Sequence, residues 1–353
     1  MNLIFIPSPD PGRRNEREWR GFQLARAVQN TRHSSASLLT AAGIGKPTFK
    51  EKALLQSADA VVVEASPDPA VLATIQHLKM LNQIVFLDLV PGKAFSSLKP
   101  VAETFPGAEG PVEETAFQLE AAVQWQMRLA DAVFSPSMCL LDDIRAYARG
   151  IVLPEYIDLE RYVNIGKAAH PGIVLGWRNA SLDPKAGLGS GLQTALERIC
   201  RARPAVRVEI FGGDPALPRS MALPPGAVRY FRGPAEGSWP APLSHIDIGL
   251  APLSGDLDQR RGWLDVLEFM AMKIPWIASQ GSPYFELRSY GWVVENSPAT
   301  WERVLLDIID HLQAYSDEAE GEPYLFTVSQ GIDEKIEAVV GKFAETCAQV
   351  RSA

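Results

Sequence analysis

Two cations, Arg178 and Lys185, stand seven residues apart in the stretch R-NASLDP-K-AG, directly after an apolar run that ends at Trp177. A guanidinium and an ammonium placed where a buried strand gives way to a helix suit a diphosphate. They supply charge-assisted donors beside the positive end of the helix. Two solvated surface cations would account for the same residues, and the sequence leaves both readings open. Further along, Glu268 lies four residues after Leu264 and three before Ala271. On a helix it therefore projects beside the apolar stripe Leu264, Leu267, Ala271. Glutamate is rarely buried without a partner. Either it pairs with a nearby arginine on the helix flank, or it is held at a cleft to accept hydrogen bonds from a ligand hydroxyl. Gly212 and Gly213 close another apolar run at Phe211, where glycine serves either a close backbone approach to a ligand or a tight turn. Near the amino terminus, Arg13, Arg14 and Arg20 crowd one junction. They read as a solvated basic surface or as contacts to a phosphate or an acidic acceptor.

The elements that must position these groups follow from periodicity. In the first half, Asn2–Ile6, Asp59–Glu64, Ile84–Leu87 (running into Asp88), Ala132–Ser135 and Ile151–Leu153 read as strands. Helical spacing falls between them, at about 15–29, 70–81, 113–129 and 140–148. Strand, helix, strand with short turns is the repeat of a parallel sheet. Residues 91–111 have no clear period and read as a long loop. The second half repeats the scheme. Strands are expected at 172–177, 206–211, 228–231, 246–250, 274–278 and 292–294, with helices at 188–202, 263–272 and 299–315. Residues 164–171, short, polar and broken by Gly and Pro, read as a linker. Ligands of such open sheets bind at the carboxyl ends of the strands, which is where Arg178, Lys185 and Gly212 fall. A dinucleotide fingerprint would need G-x-G-x-x-G after the first strand, and only Gly12 is there.

The string DIGLAPL, a loop bearing Arg261, and then LEFMAMKIPWIAS resemble the donor-binding segment of family-4-like glycosyltransferases of the GT-B fold. LADAVFSPS followed by IVLPEYIDLERY is similar to a second stretch of that family. The resemblance spans most of the chain and is most specific over residues 172–315. It implies an α/β protein of two Rossmann-like domains whose parallel sheets face an interdomain cleft. Residues 1–165 would bind the acceptor, 172–323 the nucleotide sugar, and 324–353 would form a C-terminal helix crossing back to the first domain. By the same resemblance Arg178 and Lys185 serve catalysis on the diphosphate, and Glu268 binds the ribose. Arg261, Gly262, Trp263, Gly212, Gly213, Arg232 and Gly233 complete the donor site, the last two at the nucleobase. Gly12, Arg13, Arg14 and Asp88 lie on the acceptor side. The chain departs from the pattern at four positions: Lys273 replaces the glycine after the helix, Arg260 an acid, Glu155 an asparagine, and Val90 part of an acidic cluster.

Composition narrows the alternatives. At 353 residues two domains are expected. A net charge of −8 argues against tight nonspecific nucleic-acid binding. Cys139, Cys200 and Cys347 are odd in number and scattered, which fits a reduced compartment, and a cytoplasmic protein is expected. No apolar run reaches the length of a membrane span. The five histidines form no ligand spacing and no G-x-S-x-G elbow appears, so neither a metal centre nor hydrolase chemistry is expected. The function expected is that of a retaining, metal-independent hexosyltransferase. Its co-substrate is a nucleotide-diphosphate sugar, with no further cofactor. Its acceptor is left open among saccharide, small molecule, protein and modified nucleobase, and its oligomeric state is open too. A catalytically silent binding module and a sugar-nucleotide epimerase are the alternatives.

Overall fold

The apolar runs LIFI, AVVV, VFL and AVF are the kind that form strands covered on both faces, as in parallel sheets packed between helices. A computed structural model describes residues 1–8, 18–89, 112–178, 189–213, 215–231, 239–255 and 257–352. The chain divides into two units, Met1–Glu155 with Ile332–Ala353, and Tyr156–Gly331.

In the first unit β1 (Asn2–Ile6), β2 (Ser35–Leu38), β3 (Ala60–Glu64), β4 (Val85–Asp88), β5 (Ala132–Ser135) and β6 (Gly150–Val152) form one sheet. Its order is β2-β1-β3-β4-β5-β6 and every pairing is parallel. Register places Glu64 opposite Asp88 at the carboxyl ends of β3 and β4. The helix Ile332–Ser352 belongs to this unit. Its fully buried Phe343 packs on Phe5, Phe86 and Phe134, with ring centroids 6.5, 5.8 and 4.9 Å away. The crossover therefore begins at Ile332 rather than at 324, because the helix Glu322–Ser329 stays with the second unit. Instead of one helix over 15–29, a π-helical turn at Glu18–Phe22 leads into an α-helix at Gln23–Gln29. Between residue 30 and β3 the sequence pattern is silent, yet β2 and the helices Ala41–Gly45 and Phe49–Ser57 form there. The strand is too short and exposed to show a run, and the helices start from side-chain caps at Thr40 and Thr48, the latter a full capping box with Glu51.

The second unit carries β7 (Ile173–Arg178), β8 (Val206–Phe211), β9 (Val228–Phe231), β10 (Ile248–Ala251), β11 (Trp276–Ser279) and β12 (Trp292–Val294). Its order is β12-β11-β10-β7-β8-β9, again with all pairs parallel. The helix Leu264–Ala271 lies hard against β10: a Cβ at Gly249 would collide with the Phe269 ring. That helix is buried on every side, Asp265 and Glu268 included. It ends in a Schellman motif, with Ile274 N–H donating to Phe269 C=O at 2.9 Å and Lys273 N–H to Met270 C=O at 3.0 Å. Lys273 occupies the left-handed position of that motif, φ 57°. The expected helix over 299–315 is two helices, Pro298–Asp310 and Leu312–Ala319, separated at His311 (φ −119°, ψ 26°). The apolar period runs on through the break and so does not reveal it. Among the described residues no helix is long and apolar enough to cross a membrane.

Candidate functional site

β7 ends at Arg178, and the helix Leu264–Ala271 carries Glu268 towards that end of the strand. The Arg178 guanidinium Nη1 donates to Glu268 Oε2 at 2.9 Å. Tyr162, which follows the short turn Leu159–Arg161, donates its hydroxyl to Oε1 at 3.2 Å, and the Trp239 indole Nε1 donates to the same oxygen at 3.0 Å. The guanidinium also lies 5.3 Å from the Trp239 ring centroid, within cation–π range. Arg161 steadies the indole segment by donating to the Trp239 carbonyl at 2.6 Å. Glu268 is 1% exposed, whereas the Arg178 side chain keeps 22% of its surface. The carboxylate is thus sealed, while part of the arginine side chain stays exposed.

Burial pushes the Glu268 carboxyl above the usual range, against the pull of Arg178, Trp239 and Tyr162. Burial likewise drives the Tyr162 phenol well up, and the neighbouring Glu268 charge adds to it. The hydroxyl is therefore a fixed donor at ordinary pH. A carboxylate has about four lone-pair sites, and three donors already use Glu268. By count one lone-pair site is left over, but at 1% exposure the carboxylate accepts a further donor only where a neighbouring side chain gives way.

A second buried group adjoins the first electrostatically. Arg261 donates to Asp265 Oδ2 at 2.7 Å and the Tyr284 hydroxyl donates to the same oxygen at 2.9 Å. Asp265 raises both the Glu268 carboxyl and the Arg178 guanidinium. Arg178, Glu268 and Arg261 therefore share one charged cluster within the second unit. Arg261 is 8% exposed and is engaged with Asp265. Gly262 and Trp263 precede the helix, with the Trp263 ring edge-on to Phe326 at 6.3 Å.

Gly212 and Gly213 both have φ 79° and form the turn after β8. Gly212 N–H donates to Phe231 C=O at 2.8 Å, and the Tyr230 hydroxyl donates to the Gly213 carbonyl at 2.9 Å. Tight-turn geometry accounts for them. Asp88 ends β4 in the first unit, buried and paired with Arg20. Lys185, Arg232, Gly233, Gly12, Arg13 and Arg14 lie outside the described residues. Of the two readings open for Glu268, pairing with a nearby arginine is the contact present, and the arginine is Arg178. Tyr162 and Trp239 were not singled out in the sequence. Tyr162 closes the IDLERY motif, but nothing in the residue type of either marks a carboxylate partner. Among the described residues no group of His, Cys, Asp and Glu could hold a metal ion.

No family model matches the sequence, and no curated protein is significantly similar to it. Solved structures do match. HepE from Anabaena, in complex with UDP and glucose, is similar at TM-score 0.64 and 13% identity, over 98% of this chain and 99% of that one. Sucrose-phosphate synthase from Thermosynechococcus elongatus matches at TM-score 0.65 and 12% identity, covering 99% and 100%. The fold is GT-B. A putative UDP-N-acetylglucosamine 2-epimerase from Listeria monocytogenes shares it at TM-score 0.56 and 10% identity, over 97% of each chain. Within the GT-B fold, Arg178 and Glu268 sit at the carboxyl side of the second unit's sheet, on β7 and on the helix that follows β10.

Proposed function

We propose that this chain is a retaining glycosyltransferase that moves a hexosyl group from a nucleotide-diphosphate sugar to an acceptor. One observation carries the reading: Arg178 and Glu268, ninety residues apart in sequence, meet at 2.9 Å at the end of β7. A cation and a hydroxyl acceptor side by side match a diphosphate and its adjoining pentose. In the reaction the acceptor oxygen replaces the diphosphate at the anomeric carbon with its configuration kept. Negative charge grows on the departing phosphate oxygen. Arg178, with Lys185 as the second cation, meets that charge, and removing one such donor typically costs about 10²–10³ in rate. Glu268 takes the remaining hydrogen bond from a ribose hydroxyl and orients the nucleotide. Side-chain cations do the neutralising, so a chelator leaves the rate unchanged. Uridine is the first base to test, because HepE of the same fold holds UDP.

The test is incubation with UDP-sugars and a panel of saccharide acceptors, with the anomeric proton coupling of the product read by NMR. A glycoside of the donor's configuration is expected; an inverted product contradicts the retaining step. The epimerase of the same fold motivates a second reading. A UDP-sugar epimerised at its ring, with no glycoside formed, would replace transferase with epimerase.

A further inference from the structure

The two oxygens of the Glu268 carboxylate are used unequally. Oε2 accepts from the Arg178 guanidinium at 2.9 Å, whereas Oε1 accepts from both the Tyr162 hydroxyl at 3.2 Å and the Trp239 indole at 3.0 Å. With about two lone-pair sites on each oxygen, the site left over lies on Oε2, and Oε1 is full. A pentose brings two neighbouring hydroxyls. One can use the site on Oε2. The other meets Oε1 only if Tyr162 or Trp239 yields.

The two donors on Oε1 are held differently. The Trp239 ring has the Arg178 guanidinium 5.3 Å from its centroid and Phe211 edge-on at 5.8 Å, and Arg161 fixes its backbone through the carbonyl at 2.6 Å. An indole N–H lies in the plane of its ring and only donates, so to release the carboxylate the whole clamped ring would have to turn. The Tyr162 bond is the longer of the two. A phenol hydroxyl both donates and accepts, and it turns about its own C–O bond, so it can let go by a rotation that the indole lacks. Burial keeps the phenol protonated at ordinary pH, which makes it a neutral competitor for the carboxylate. Displacing Arg178 instead would separate a buried ion pair, the most expensive of the three exchanges. Tyr162 is therefore the donor that yields at least cost.

We propose that the Tyr162 hydroxyl holds, on Glu268 Oε1, the place for which a second ribose hydroxyl of the nucleotide competes, so that Tyr162 sets how strongly the pentose is read. The proposal deepens the glycosyl-transfer reading and rests on its nucleotide site. In the unaltered chain one ribose hydroxyl gains a bond at Oε2, while the other only exchanges the Tyr162 bond for its own. Titration calorimetry of UDP, 2′-deoxy-UDP and 3′-deoxy-UDP on the full chain tests this. One deoxy nucleotide should bind about tenfold or more weaker than UDP, as for a lost hydrogen bond to a charged group, and the other within about twofold of UDP. In Tyr162→Phe no exchange is needed. UDP should then bind about tenfold tighter than it does to the unaltered chain, with both deoxy nucleotides about tenfold weaker than UDP. A purely structural role for the hydroxyl would weaken all three nucleotides alike in Tyr162→Phe, and that result would overturn the proposal. So would equal affinity of the two deoxy nucleotides for the unaltered chain, a comparison that needs no variant to fold. Tightening of UDP in Trp239→Phe in place of Tyr162→Phe would overturn it as well. All of these outcomes leave UDP bound and the transferase reading standing. Failure of UDP to bind either the unaltered chain or Tyr162→Phe would sink that reading and the proposal with it.

Discussion

At the scale of single residues, the Glu268 carboxylate is stabilised only while its partners remain. Glu268→Ala leaves the Arg178 guanidinium without its counter-charge and two buried donors, Tyr162 and Trp239, without an acceptor. Breaking a buried pair by removing one partner costs about 3–5 kcal/mol, and urea unfolding should show a loss of that order. Glu268→Gln keeps an oxygen acceptor and should lose less. The pH dependence has a definite sign. Burial holds the Glu268 carboxyl above its unfolded value of 4.5, so over that window the folded chain binds more protons than the unfolded one. The stability tied to this group is full below 4.5 and is lost as pH rises through the raised folded value. Urea midpoints taken from pH 4.5 to 7 should therefore decline less steeply in Glu268→Gln than in the unaltered chain. Identical slopes would mean that the carboxyl titrates as it does in the unfolded chain. Arg178 and Glu268 were legible in the sequence because charge at the end of an apolar run and beside an apolar stripe breaks a pattern. Tyr162 and Trp239 break none, since aromatic residues fit a core equally well.

At the scale of elements, the helix Leu264–Ala271 fixes where Glu268 points, and its exit carries a measurable strain. Lys273 adopts φ 57° at the position where a Schellman motif favours glycine. A side chain there costs roughly 1–2 kcal/mol. Lys273 also approaches Glu320 at 3.7 Å and the Tyr324 ring at 5.2 Å, so a comparison with the wild type would mix two effects. Lys273→Gly against Lys273→Ala removes those contacts from both. The glycine variant should be the more stable by about 1 kcal/mol in chemical denaturation. Equal stabilities would show that the left-handed exit is not retained. Strands were the most legible elements: Asn2–Ile6, Ala132–Ser135, Val206–Phe211, Val228–Phe231 and Trp292–Val294 form where apolar runs lie. Elements set by capping or by local geometry were less so. The half-exposed β2 offers no run to read, the helices after Thr40 and Thr48 start from single polar side chains, and the break at His311 interrupts no period.

At the scale of the whole molecule, the chain builds one parallel sheet, then a second, and returns through Ile332–Ser352 to complete the first. Phe343 anchors that return among Phe5, Phe86 and Phe134, so the two ends of the sequence share one core. The GT-B fold leaves room for both transfer and epimerisation, and the chemistry of named groups has to decide between them. Both readings need the second unit to hold a nucleotide through Arg178 and Glu268, and isothermal titration of UDP tests that claim most directly. Saturable binding is expected, weakened about 10–100-fold in Arg178→Ala and in Glu268→Gln, the range for a lost hydrogen bond to a charged group. UDP binding of equal strength in the unaltered chain and both variants would contradict it.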